Sequence, residues 1–177
     1  MARKKADVRS NRVAILDVVC EYPGIHIRAL ARNTGLEIAL VQYHLKALLE
    51  DGLVEMREQG GYTRYYPTKK AGGNVVDPMD VHLLATLREE PALLIVLTLL
   101  DQGMLTHREL ADETGIGKST LSYHLAKLAQ AGLIERTPGT TRIQLAQRDR
   151  VHRILRAYKP VPDVLSAIEK LWRGLYE

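Results

Sequence analysis

An internal repeat constrains this chain more than any other feature. The segment Ile25-His-Ile-Arg-Ala-Leu-Ala-Arg-Asn-Thr-Gly-Leu36 returns 80 residues later as Leu105-Thr-His-Arg-Glu-Leu-Ala-Asp-Glu-Thr-Gly-Ile116. The register then runs on without an insertion, Val41-Gln-Tyr-His-Leu-Lys-Ala-Leu-Leu-Glu-Asp-Gly-Leu-Val-Glu55 matching Leu121-Ser-Tyr-His-Leu-Ala-Lys-Leu-Ala-Gln-Ala-Gly-Leu-Ile-Glu135. About twelve of the 31 aligned positions are identical, which excludes chance similarity and means that one supersecondary unit is built twice. With 177 residues, 46% of them hydrophobic, two small cores are feasible.

Each copy reads as the same succession of elements. An apolar helix (Val13 to Cys20; Ala92 to Leu100) ends at Pro23-Gly24 or Gln102-Gly103. A second helix spans Ile27 to Thr34 and His107 to Thr114, closed by Gly35 or Gly115, where positive φ is favoured. A third helix follows from about Glu37 to Glu50 and from about Lys118 to Ala131, with Val41, Leu45, Leu48 and Leu121, Leu125, Leu128 sharing one face. The period then changes to alternation. Leu53, Val54 and Met56, a Gln59-Gly60-Gly61 tip and Tyr62, Arg64 and Tyr66 read as a β-hairpin. Leu133, Ile134 and Arg136, a Pro138-Gly139 tip and Arg142, Ile143 and Leu145 repeat it.

Three helices with a helix-turn-helix at their centre and a hairpin after them make a winged helix, whose third helix can enter a DNA major groove while the wing follows the backbone. The expected fold class is mainly α with small β-hairpin wings, two winged helix-turn-helix domains in tandem plus a C-terminal helix. The expected boundaries are a basic N-terminal arm over 1–12, a winged helix over 13–70, a linker with a short helix over 71–90, a second winged helix over 91–147 and C-terminal helices over 148–177.

The run Lys118-Ser-Thr-Leu-Ser-Tyr-His-Leu-Ala-Lys-Leu-Ala-Gln-Ala-Gly-Leu-Ile-Glu135 resembles the recognition helix and wing entry of ArsR-like and MarR-like winged-helix regulators. A chain with two such units is similar to the tandem winged-helix regulators common in archaea. The resemblance implies a regulator of transcription that binds double-stranded DNA and meets the transcription machinery, without a cofactor or catalytic activity. The paired thiolates of the metal-sensing ArsR branch are missing, since Cys20 is the single cysteine and sits in an apolar helical pattern. A protein docking module in a transcription, replication or chromosome-maintenance complex is the competing expectation.

In the second copy, the third-helix positions outside the leucine stripe hold Lys118, Ser119, Thr120, Ser122, Tyr123 and Lys127. Hydroxyls can bond base edges or phosphates, and lysines neutralise phosphates. Arg136 and Arg142 flank the wing. In the first copy Glu37-Ile38-Ala39-Leu40 replaces Gly117-Lys118-Ser119-Thr120, leaving Gln42, Tyr43 and Lys46 on the helix with Arg57 and Arg64 on the wing. That unit either docks with a more apolar readout or binds protein. His44 and His124, each after a tyrosine, are read in two ways: as contacts beside the groove, or as packing features of the motif. Neither has a sequence-neighbouring carboxylate or nucleophile for catalysis, and no familiar metal-ligand spacing occurs.

Arg3, Lys4, Lys5, Arg9 and Arg12 against Asp7 carry as much charge as the whole formal net charge of +4. This arm either tracks a phosphate backbone or is a solvated terminus. The longest apolar stretch, Ala92 to Leu100, is too short to span a membrane, so a soluble protein of the cytoplasm and nucleoid is expected. Beyond Pro160-Val161-Pro162, the residues Leu165, Ile168, Leu171, Trp172 and Leu175 form an apolar stripe on a last helix. A homodimer interface is the expectation for that stripe, and folding back onto its own chain is the alternative.

Overall fold

The computed structural model describes residues 2–72 and 75–176, with side chains from Ser10 onward, Ala167 excepted. The chain divides into two units, Met1–Val81 and His82–Glu177. Both carry the same arrangement of helices around a three-stranded antiparallel sheet.

The first unit contains α1 (Ala2–Glu21), β1 (Ile25–His26), α2 (Ile27–Thr34), α3 (Ile38–Glu50), β2 (Val54–Gln59) and β3 (Tyr62–Pro67). Helix α4 (Pro78–Leu87) carries the chain onward. α1 begins well before Val13, where the apolar pattern starts, because Ala2 to Ala6 are good helix formers. The segment read as an arm is thus helical in its backbone, and the side chains of Arg3, Lys4, Lys5 and Arg9 lie outside the described residues. Arg12 forms an ion pair with Asp51 and does not stand free. At the start of α2, His26 Nδ1 accepts from the Ala29 amide at 3.2 Å. At its end Gly35, at φ +69°, donates its N–H to Ala31. Ile15, Val19, Leu30, Val41, Leu45 and Leu48 close the core beneath the sheet. The wing turns through Gly60 and Gly61, both at positive φ, as a two-residue hairpin requires.

The second unit contains α5 (Glu90–Gln102), β4 (Leu105–Thr106), α6 (His107–Thr114), α7 (Lys118–Gln130), β5 (Ile134–Arg136), β6 (Arg142–Leu145), α8 (Arg148–Ala157) and α9 (Pro162–Tyr176). α5 is apolar almost all round, and helices α6, α7 and α9 all pack on it, so Leu93, Ile95, Val96, Leu97, Leu99 and Leu100 are buried together. The two-residue strands β1 and β4 were beyond the reach of periodicity; each pairs with the returning strand of its wing, giving the orders β1-β3-β2 and β4-β6-β5.

Helix α9 corrects one expectation. Ile168 and Trp172 are 2% and 6% exposed, because their stripe lies on α5 of the same unit. Trp172 stacks on Tyr176, with 4.5 Å between ring centroids, and the Tyr176 hydroxyl lies 2.9 Å from His152 Nδ1. Burial pushes the Tyr176 phenol up to about 12. Leu165, Leu171 and Leu175 stay half-buried. The stripe is therefore covered by its own chain, and an interface cannot use its two most buried members. No helix among the described residues is long and apolar enough to cross a membrane.

Candidate nucleic-acid interface

On α7, Leu121, His124, Leu125 and Leu128 form the buried face and hold the helix to the core. Lys118, Ser119, Thr120, Ser122 and Tyr123 are exposed, Tyr123 by 61%. The N-cap is Gly117, whose lack of a side chain leaves the first-turn amides without a capping acceptor. Those amides and Lys118 give this end of the helix positive character.

Ser122 is met from the side: His107 Nε2, on the first residue of α6, lies 3.0 Å from Ser122 Oγ. The sequence reading missed this pair, since fifteen residues separate its members. The available signal was the helix-turn-helix itself, which sets the start of the second helix beside the third. Both residues border a groove of 560 Å³ between α7 and the wing, with Leu125, Ala126, Ala129, Ile134 and Ile143 along its apolar floor and Arg136 on its rim. Arg136 is exposed. Arg142 is also exposed but donates to the Met104 carbonyl at 3.2 Å and lies 3.9 Å from Glu109.

Three expected contacts of the second and first units turn inward. Lys127 is bound to Glu89, with Nζ 2.5 Å from Oε1, and the two side chains are 18% and 16% exposed. His124 is 8% exposed, and its Nδ1 lies 3.7 Å from the same carboxylate. His44, its repeat counterpart, is 1% exposed among Val41, Leu45 and Leu48. The reason is spacing: 121, 124, 125 and 128 share a helix face, as do 41, 44, 45 and 48. Each preceding tyrosine presents a ring edge-on, with centroids 5.2 Å apart in the first unit and 5.0 Å in the second. Burial lowers both imidazole pKa values, helped at His44 by Arg12; at His124 Glu89 opposes the shift and Lys127 adds to it. Neither His44 Nε2 nor His124 Nδ1 has a hydrogen-bond partner among the described residues.

In the first unit Arg64 is also inside, 1% exposed, on the central strand of its sheet; its Nη1 donates to the Gly24 carbonyl at 3.1 Å. Arg57 gives two hydrogen bonds to Glu55 Oε1, at 3.0 and 2.8 Å, and its guanidinium sits 5.7 Å from the Tyr66 centroid. Gln42 and Tyr43 are exposed on α3, and Lys46 is exposed with Glu50 4.0 Å away. Ile38 is 43% exposed, so the first turn of α3 is apolar on its outer side where that of α7 is hydroxylic and cationic.

Comparison with known proteins gives each unit its own match. Residues 9–72 match the model of an N-terminal HTH domain family, and residues 90–136 match that of the bacterial regulatory protein, arsR family. An uncharacterized HTH-type transcriptional regulator, MJ1398, of Methanocaldococcus jannaschii is 24% identical over 132 residues, 75% of this chain. The aligned region is 32% of that relative, so the chain spans about a third of its length. Among solved structures, the mRNA-binding domain of elongation factor SelB from E. coli in complex with SECIS RNA aligns with 77% of this chain and 97% of that one. Its identity is 17% and its TM-score 0.29, too low to bear on the fold or the function. With two matched domains and a sheet-and-helix core built twice, the chain consists of two winged helix-turn-helix domains in tandem.

Proposed function

We propose that the chain is a sequence-specific regulator of transcription that binds duplex DNA through α7 and the second wing. One observation carries this reading: α7 buries Leu121, His124, Leu125 and Leu128 and turns Lys118, Ser119, Thr120, Ser122 and Tyr123 outward. A helix held this way offers hydroxyls to base edges, while its amino end and Lys118 face phosphates. Arg136 and Arg142 extend the positive surface along the wing, and Gln42, Tyr43, Lys46 and Arg57 are what the first unit can add. The regulator acts in the cytoplasm on the nucleoid, and two copies on a two-fold site gain affinity through effective concentration. On α9 the half-buried Val164, Leu165, Leu171 and Leu175 remain to serve such a dimer.

The test begins with genome-wide mapping of bound sites, then anisotropy on the best site. Affinity should fall steeply between low and moderate salt, through counterion release. Ser119→Ala with Ser122→Ala should reduce the ratio of specific to non-specific affinity, each lost base contact being worth about 1–3 kcal/mol. Absence of binding to any duplex, the mapped site included, would overturn the proposal. It would favour protein docking, a reading supported by the 43% exposure of Ile38 and the 65% exposure of Tyr43 on α3.

A further inference from the structure

We infer that His107 is a positioning residue for base recognition: by engaging the Ser122 hydroxyl, it sets whether that hydroxyl gives a proton or a lone pair to a base edge. The inference rests on the reading of Ser122 as a base contact. His107 Nε2 stands 3.0 Å from Ser122 Oγ, and Ser122 remains exposed on α7. The pair is not a requirement of the fold, because the repeat builds the same unit without it. At the corresponding positions the first copy has Ile27 and Gln42, and an isoleucine can make no such bond.

The consequence follows from counting protons. A serine hydroxyl carries one proton and two lone pairs. When Nε2 is bare, it accepts a hydrogen bond from the serine hydroxyl, and only the oxygen lone pairs are left for a base. Ser122 then favours the amino groups of cytosine N4 or adenine N6. When Nε2 carries a proton it donates to Oγ, freeing the serine proton for guanine O6 or thymine O4. A neutral imidazole allows either tautomer, whereas an imidazolium can only donate. The charged groups that share the groove with His107 are Arg108 from α6 and Glu135 and Arg136 from β5; α7 and β6 contribute none there.

The experiment uses the full chain and its mapped operator, with all four bases tried at each position in competition. Ser122→Ala should flatten the preference at one position. His107→Leu should change the preference at that same position by about tenfold, and the double variant should go no further than the larger single effect. His107→Gln, whose amide can still bond the Ser122 hydroxyl, should restore a base preference at that position, and circular dichroism checks that both variants fold. Additive effects, an effect at another position or a His107→Gln chain that behaves as His107→Leu does would overturn the inference. If Ser122→Ala flattens a position that His107→Leu leaves untouched, the inference alone falls; if Ser122→Ala changes no position, the base-contact reading falls with it.

Discussion

At the scale of single residues, the outer and inner faces of α7 assign opposite roles to similar side chains. Lys118 stands in solvent, whereas Lys127 is bound to Glu89 at 2.5 Å in a largely buried pair. Lys127→Ala should therefore cost stability, about 1.5–3 kcal/mol for a hydrogen bond between charged groups, in a urea melt. The ratio of specific to non-specific DNA affinity should stay unchanged. The imidazoles of His44 and His124 add a pH dependence. Their folded pKa values lie below the unfolded one, so the unfolded chain binds more protons as the solution is acidified. Stability is complete above the unfolded histidine pKa and is lost as pH falls toward the folded values. The melting temperature should drop from pH 7.5 to pH 5, and less in a His44→Gln, His124→Gln variant relative to its own value at pH 7.5. Both readings of the Tyr-His pair came from the same letters, and the burial of the two imidazoles beside the leucines favours packing. Arg64 was not separable in this way, because the strand that makes β3 the central one is only two residues long.

At the scale of elements, chemistry at helix ends decided where the sequence was readable. α2 and α6 occupy the expected spans because each stops at a glycine in the left-handed region. Gly115, at φ +67°, has open space around a prospective Cβ, so Gly115→Ala should cost only the backbone term, about 1–2 kcal/mol. A urea melt measures it. α6 also begins with a capping box, in which Thr106 Oγ1 accepts from the Glu109 amide and the Glu109 carboxylate accepts from the Thr106 amide. Thr106→Ala should lose about 1 kcal/mol more than a neutral surface change. The start of α1 was less legible, since a charged helix without an apolar stripe has the same pattern as a solvated tail.

At the scale of the whole molecule, the repeat made the tandem architecture legible and left the fate of α9 open. An amphipathic stripe specifies that it will be covered, and says nothing of what covers it. Since α9 packs on α5, Trp172→Ala should cost about 3–5 kcal/mol, read by thermal denaturation, whatever the oligomeric state. Truncation after Lys159 exposes α5 and should destabilise the second unit, so a dimer is tested by light scattering on the intact chain.

The matching registers of α3 and α7 have one more consequence: the outer face is an exchangeable part. Both helices have thirteen residues and bury the same four repeat positions, so the code they display is separable from the socket that holds them. Transplanting Ile38→Lys, Ala39→Ser, Leu40→Thr and Gln42→Ser into α3 should leave its melting behaviour close to that of the parent. The chimera should gain a second hydroxyl-and-lysine face, seen as a salt slope steeper by about one unit. A scaffold of this kind lets the face shown by one copy change while that of its twin is kept.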